Sequence, residues 1–294
     1  MANDEDDFGL FAYKLFRSFS KKYAKVIFKD IKTDLDKSGM RLTLEEYFSE
    51  MLLIISIMSP LLLIIGIFLT FALTSNIFFS IFSGVLLFII SIIGIFVFFM
   101  INPSNTVADR AKKIDNGIHF ATLYMATLAN TGTPAFIIFK VISQFKEFGE
   151  ISKIAEKITQ EVEVFGYNLP DSLEKHADLV PSNNLSELLW GMRATIISGG
   201  DLNTYLTEKS KTFTNVFRRR LEEYVQSMGL FMEMYITVVI VGTIFVIVLS
   251  TIMSMVGGFM DQIQMLQIGF VAVLVPFVTV AFILLLKTIS PTEV

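Results

Sequence analysis

The stretch MLLIISIMSPLLLIIGIFLTFALTSNIFFSIFSGVLLFIISIIGIFVFFMI, residues 51–101, contains no ionisable side chain. A bilayer is crossed by about 20 apolar residues, so this run is long enough to cross twice. Its one polar break is Ser75-Asn76, which divides it into spans at residues 51–74 and 77–101 joined by a tight hairpin. Two further apolar runs lie at residues 234–256 and 266–286. Pro60 and Pro276 fall inside spans, and no span carries a charge in its middle. The expectation is an all-α membrane protein with four transmembrane helices.

Composition agrees. The chain has 294 residues, of which 53% are hydrophobic and 18% charged, with 29 Phe; soluble domains are nearer a quarter charged. With 0 Cys there is neither a disulfide nor a thiolate metal site, and 2 His are too few for a polyhistidine centre. A formal charge of −4 gives no ground for nucleic-acid binding. No signal peptide is expected, because the start is acidic (Asp4, Glu5, Asp6, Asp7) and the first long apolar run begins only at residue 51.

Basic residues set the orientation. Residues 1–50 hold 9 Lys and Arg, residues 102–228 hold 14, and Lys287 is the last. The positive-inside rule makes those three regions cytoplasmic. Outside remain Ser75-Asn76 and residues 257–265, where Asp261 is the only charge. The resulting division is 1–50, N-terminal helices; 51–101, first hairpin; 102–228, a cytoplasmic bundle; 229–288, second hairpin; 289–294, a cytoplasmic tail. The expected location is the cell membrane, multi-pass, with both termini cytoplasmic.

Residues 1–50 read as two helices. Phe8, Phe11, Leu15, Phe19, Tyr23 and Ile27 recur at helical spacing, and this stripe is expected to pack on the rest of the cytoplasmic part. The alternative is an amphipathic helix on the membrane surface. Asp34-Leu35-Asp36-Lys37-Ser38-Gly39 with Glu45 imitates a calcium loop. Arg41 falls where such a loop turns an aliphatic side chain inward. The favoured reading is a helix ending at Gly39, followed by a Thr43–Glu46 capping box that opens the helix into span one.

Residues 102–228 show helical periodicity with breakers and no strand pattern. Asn102-Pro103-Ser104 marks the exit from span two. Ile114, Ile118, Ala121, Met125 and Leu128 share the next helical face, which stops at Gly132; Thr133 caps the following helix, with Pro134 in its first turn. Ile151, Ile154, Ile158, Val162 and Phe165 share a face that ends at Gly166. Asp171 is expected to cap a short helix, Asn184 and Glu187 to form a capping box, and Asp201, after Gly199-Gly200, to cap the last helix, which runs towards span three. Short loops make this a helical bundle.

No P-loop, dinucleotide, nucleophile-elbow or zincin motif is present, and His119 and His176 read as partly buried polar contacts. No catalytic residue, cofactor or metal is expected. Arg218, Arg219 and Arg220 form the densest basic cluster; Glu222 and Glu223 offer i,i+4 partners, and docking of an acidic cytoplasmic partner is the competing use. Near the spans lie Glu233, Asp261 and Lys287, each within reach of an interface.

Three segments then resemble a known family. Leu128-Ala129-Asn130-Thr131-Gly132-Thr133-Pro134 is similar to a leucine–small–Gly–x–Pro turn. Ile158 to Val162 with Gly166-Tyr167-Asn168-Leu169-Pro170-Asp171-Ser172-Leu173 is similar to a "valine, then Gly-x-x-Leu-x-x-Ala-Leu" segment. Ser198-Gly199-Gly200-Asp201-Leu202 with Tyr205-Leu206 is similar to "Ser-Gly-Gly-Asp-Leu…Leu". Together, residues 114–213 resemble the F-domain of type II secretion systems, found in platform proteins of type IV filament machines. Glu233-Met234-Tyr235 resembles the archaellum J-type and Tad C-type subgroup.

The resemblance implies a non-enzymatic membrane platform that couples a hexameric secretion ATPase to insertion of pilin-like subunits. One F-domain, where many relatives carry two, implies a homo-oligomer or pairing with a second F-domain protein. ATPase docking is assigned to Arg110, Lys112, Lys113, Arg193, Arg218, Arg219 and Arg220. Contact within the membrane is assigned to Glu233, and turn or cap roles to Gly132, Pro134, Gly166, Asp171, Gly199, Gly200 and Asp201. The alternatives are a transporter or channel subunit and a calcium-responsive adaptor.

Overall fold

A computed structural model describes residues 2–28, 31–40, 42–257, 268–269, 272–273 and 275–289. The regular elements among them are helices: α1 (Ala2–Ile27), α2 (Ile31–Ser38), α3 (Leu44–Thr74), α4 (Ile77–Asn130), α5 (Ala135–Gln144), α6 (Glu150–Glu163), α7 (Leu169–Leu179), α8 (Asn183–Ser198), α9 (Leu202–Tyr235), α10 (Gly242–Gly257) and α11 (Val275–Ile289). A 3-10 turn, Lys146–Phe148, precedes α6, and a π-helical turn, Ile236–Val241, joins α9 to α10. The chain forms two compact units, residues 1–207 and 208–294.

In the first unit α3 and α4 make an antiparallel hairpin. Ser75 turns it with φ 53°, and the Asn76 side chain accepts from the amide of Phe78 at 3.2 Å. Between apolar helices in lipid, close backbone approach replaces the hydrophobic drive. A Cβ on Gly84 would lie 2.4 Å from Ile67 Cγ1, and one on Gly66 2.7 Å from Leu87 Cδ1. Thr70 and Ser83 hydroxyls meet across the seam at 2.8 Å. Elsewhere on the hairpin, large apolar side chains such as Phe68, Leu73 and Phe78 are at least three-quarters exposed. Only lipid solvates such a surface at low cost.

The helix break expected at Asn102-Pro103-Ser104 does not occur: α4 runs through Pro103 for 54 residues. Proline supplies no amide hydrogen to the carbonyl four residues earlier. That carbonyl belongs to Phe99, and the buried Tyr47 hydroxyl from α3 donates to it at 2.9 Å. The Tyr47 and Phe99 rings also pack, with centroids 5.2 Å apart. An orphaned acceptor that would favour a kink is thus satisfied from the neighbouring helix.

Around this point sits an aromatic cluster of Ala24, Phe28, Ile31, Leu35, Tyr47, Phe48, Met51 and Phe99. It fastens α1 and α2 to the start of the hairpin. The Thr43–Glu46 capping box forms at the head of α3. Asp34 and Asp36 lie inside α2 rather than in a cation-binding loop; Arg41 is outside the described residues.

The remainder of the first unit is the helical bundle. Ile114, Ile118, Ala121 and Met125 of α4 are buried with Ile138, Phe139 and Ile142 of α5, Ile151, Ile154 and Ile158 of α6, Leu173 of α7, and Leu185, Leu188, Leu189 and Met192 of α8. Helix pairs α5–α6 and α7–α8 pack internally, and α4 touches α5, α6 and α8.

Several expected boundaries move. Pro134, not Thr133, is the first residue of the α5 terminus. Ser182, not Asn184, caps α8, accepting from the amide of Leu185 at 3.2 Å. Asn184 instead donates to Asp115 at 2.9 Å. Asn168 is the N-cap of α7, and Asp171 sits in its first turn, where a negative charge meets the positive helix end. Phe165 lies beyond the end of α6 and is 70% exposed rather than on the buried face.

In the second unit α9 continues into the π-helical turn and α10. Thr237 and Thr243 hydroxyls donate back to the carbonyls of Glu233 and Val239, a bond that loosens a helical ladder locally. Phe231 and Tyr235 pack their rings on Phe282 of α11, and the Tyr235 and Thr279 hydroxyls meet at 3.3 Å.

Among the described residues three helical stretches, not four, are long and apolar enough to cross a membrane: Leu44–Leu73, Ile77–Asn130 and Leu202–Met253. The chain is a membrane protein by that measure. Val275–Leu284 is apolar but short. The expected fourth span begins among residues 258–267, 270–271 and 274, which, with Asp261 and the tail 290–294, lie outside the described residues.

Candidate functional site

The glycine-rich motif after α8 is a joint between helices. Gly199 takes φ 69°, and the amide of Gly200 donates back to the carbonyl of Thr195 at 2.9 Å, closing α8. Asp201 then opens α9. Its carboxylate accepts from the amides of Asn203 and Thr204, at 3.0 and 3.3 Å, and from the Thr204 hydroxyl. The Thr204 hydroxyl first, and then those amides, hold its carboxyl below the usual range. Gly132 and Gly166 likewise have positive φ at the ends of α4 and α6.

One turn into α9, Tyr205 reaches back to α8. Its hydroxyl donates to the carbonyl of Leu188 at 3.2 Å, and burial pushes its pKa up to about 12. The ring lies against Gly191, where an added Cβ would sit 1.9 Å from the Tyr205 hydroxyl oxygen. Gly191 was not singled out by sequence. The signal was its position inside a helical pattern, where glycine costs helix stability and so has a packing reason.

The seven cations assigned to docking divide in two. Arg110 is engaged within the bundle: its guanidinium donates to the carbonyl of Lys37 at 2.6 Å and pairs with Glu150 at 2.8 Å. It thereby ties α2, α4 and α6 together. Arg193 pairs with Glu174 at 2.7 Å and lies 5.3 Å from the Trp190 ring. Lys112 and Lys113 are exposed. So are Arg218, Arg219 and Arg220, in the second unit. The ion pairs anticipated from Arg218 to Glu222 and Arg219 to Glu223 do not close among the described residues. A shallow groove of about 330 Å3 beside Arg218 is lined by Leu221, Glu222, Val225 and Gln226.

A polar knot joins α6 and α7. Glu161 accepts from Ser172 at 2.7 Å, pairs with Lys175, and lies 3.3 Å from His176 Nε2. Burial raises the Glu161 carboxyl, but hydrogen bonds from Lys175 and Ser172 and the charges of His176 and Lys175 outweigh it and leave it low. Burial drives His176 below its ordinary value despite Glu161. His119, on α4, is lowered by burial as well. These contacts fasten helices.

Two apolar surfaces of the bundle stay open. A groove of about 400 Å3 is lined by Gly117, Phe120, Leu123, Tyr124, Thr127 and Phe148, together with the charged Glu147. At the α6–α7 turn, Val164, Phe165 and Tyr167 are all more than half exposed. Glu233 is exposed, one turn before the π-helical segment.

Residues 121–250 match the family model of the type II secretion system (T2SS), protein F. The match therefore takes in the bundle from Ala121 of α4 onward and also the helix into the third span. Two relatives come from Methanocaldococcus jannaschii. Uncharacterized protein MJ1286 is 24% identical over 150 residues, 51% of this chain and 24% of its own length. Flagella accessory protein J is 22% identical over 162 residues, 54% of this chain and 29% of its own length. The chain thus spans under a third of either relative. No solved structure matches.

Proposed function

We propose that this chain, which carries a type II secretion system protein F domain in residues 121–250, is the membrane platform of a filament-assembly machine. The observation that carries the reading is that the matched bundle is continuous with membrane helices at both ends. It leaves the hairpin through α4 and leads into the third span through α9. Similarity to a flagella accessory protein supports an archaellum-like branch.

In this reading the bundle is cytoplasmic and both termini face the cytoplasm. Residues 266–286 complete a fourth span. A hexameric secretion ATPase docks on the bundle, and its ATP-driven motion is passed to the spans, beside which pilin-like subunits enter the filament. The chain itself performs no catalysis. Exposed Arg218, Arg219 and Arg220, with Lys112 and Lys113, supply the docking charge. Arg110 and Arg193, already paired, support the surface rather than form it. Glu233 beside the π-helical turn is the contact for a membrane-embedded partner; π-turns inside helices recur at functional positions. The platform acts as a homo-oligomer or with a second F-domain protein.

The test is co-purification of the tagged full chain from its native host in mild detergent, with Arg218→Glu/Arg219→Glu/Arg220→Glu as the control. A secretion ATPase recovered with the wild type and lost from the control supports both platform and docking site. Recovery unchanged in the control removes the arginines from the proposal. Absence of any ATPase and any pilin-like protein, from cells shown to make both, overturns the platform reading.

A further inference from the structure

The stripe on α1 is the feature that the fold leaves without a use. Phe11, Leu15 and Phe19 are each more than 60% exposed, and Tyr23 is 39% exposed. The face that packs is a different one. Ala12, Ser20 and Ala24 are fully buried, the Ser20 hydroxyl donates to the carbonyl of Glu45 at 2.6 Å, and Tyr13 donates to the Glu45 carboxylate at 3.1 Å. Small residues bring α1 close to α3 and leave the large apolar ones pointing away.

The helix therefore has three sectors. The helix bends at Phe16, whose φ of −109° and ψ of 16° are not helical, and exposure on either side of the bend sorts the residues: Ala12, Ser20 and Ala24 are packed, Phe16 is half-buried beside them, and Phe11, Leu15, Phe19 and Tyr23 are open. Lys14, Arg17 and Lys21 fall on the third side, and Lys22 lies beside the apolar arc with its ammonium 5.3 Å from the Tyr23 ring centroid, on a stem long enough to reach a headgroup. All four cations are exposed and form no ion pair among the described residues. Between Phe8 and Lys29 the sequence has six Lys and Arg and no acidic residue.

We propose that α1 lies on the membrane surface, with Phe11, Leu15, Phe19 and Tyr23 among the lipid chains and Lys14, Arg17, Lys21 and Lys22 on anionic headgroups. Position and charge both favour a bilayer over a protein. The helix is anchored where the hairpin enters the membrane: Phe28 packs on Phe48 and on Phe96, a residue of the second span, with ring centroids 5.5 and 6.2 Å apart. A large apolar face flanked by cations that have no carboxylate partner among the described residues is the chemistry that an anionic interface binds.

This inference requires only that the hairpin spans a membrane. It is independent of ATPase docking, so the two readings fail separately. Because the chain has 0 Cys, single labels can be placed freely. Leu15→Cys and Arg17→Cys, each carrying a polarity-sensitive fluorophore, are reconstituted as full-length protein in phosphatidylcholine bilayers with 30% phosphatidylglycerol. Both positions are exposed, so neither change disturbs the core. The expected result is quenching of the Leu15→Cys label by spin-labelled lipid and of the Arg17→Cys label by aqueous iodide. Adding Lys14→Glu, Lys21→Glu and Lys22→Glu to the first should shift it towards iodide, the docked-to-undocked ratio falling by at least roughly fivefold per substitution. Iodide access to Leu15→Cys equal to that of Arg17→Cys overturns the proposal. So does protection of Leu15→Cys from both quenchers, which places a protein, such as a second copy, on the stripe.

Discussion

Tyr47 and His176 show how single side chains carry the fold across awkward places. Tyr47 supplies the one hydrogen that Pro103 withholds from Phe99. Tyr47→Phe should destabilise the detergent-solubilised protein by about 1–2 kcal/mol, since a buried acceptor loses its donor. In a Pro103→Ala background the new amide can serve that acceptor, so the same change should cost less; thermal unfolding of the four variants measures the difference. His176 is held below its ordinary value of 6.5. As pH falls through 6.5 the unfolded chain gains a proton that the folded one resists, so stability falls with pH. His176→Gln should reduce this slope and leave the share that His119, lowered in the same way, contributes. The low Glu161 carboxyl acts at more acidic pH: its contribution, present above 4.5, disappears as pH drops through its folded value. Unfolding temperature against pH should therefore decline in two stages; Glu161→Gln should shrink the acidic one, to which the low Asp201 and Glu150 carboxyls also contribute, and steepen the first, because His176 loses the neighbour that favours its proton.

At the scale of elements, the joint between α8 and α9 depends on a glycine facing a tyrosine. Gly191→Ala drives a methyl into the Tyr205 ring and should cost about 1–3 kcal/mol. Combined with Tyr205→Ala it should cost nothing further, a non-additivity that unfolding of the pair reveals. Such elements were legible in sequence to very different degrees. Helical periodicity at Ile114, Ile118 and Met125, or at Ile151, Ile154 and Ile158, gave buried faces, because burial and period are the same signal there. The boundary at Pro103 was not legible, because the compensating donor lies 56 residues away in sequence. The α1 stripe misled for a related reason: periodicity shows that residues share a face, but the partner that covers it is not encoded in the spacing. Among the candidate site residues, charge identified the exposed Arg218, Arg219 and Arg220. Only geometry revealed that Arg110 and Arg193 were already engaged.

For the whole molecule, the informative separation is between surfaces facing lipid and surfaces facing water. Phe68, Leu73 and Phe78 need a bilayer, whereas Phe120, Phe165 and Tyr167 lie on the bundle and remain candidates for protein contact. In the proposed machine, Phe165→Asp should leave solubility and unfolding temperature unchanged within about 0.5 kcal/mol, as surface changes do. If the α6–α7 turn is a contact, it should reduce recovery of partner proteins; pull-down yield against wild type decides it.

The unbroken run of α4 has a consequence for how this chain can change in length. Each helical residue advances its successors by about 1.5 Å and turns them by about 100°. One alanine inserted after Ser104 would put everything beyond it out of phase with the hairpin: Arg110 would keep Glu150, which moves with it, and lose the Lys37 carbonyl. Seven inserted residues come nearly back into phase but lengthen the rod by about 10 Å. Between Thr131 and Pro134, by contrast, a turn can absorb an extra residue. Insertion and deletion should therefore be confined to the joints, while the count of residues in α4 stays fixed.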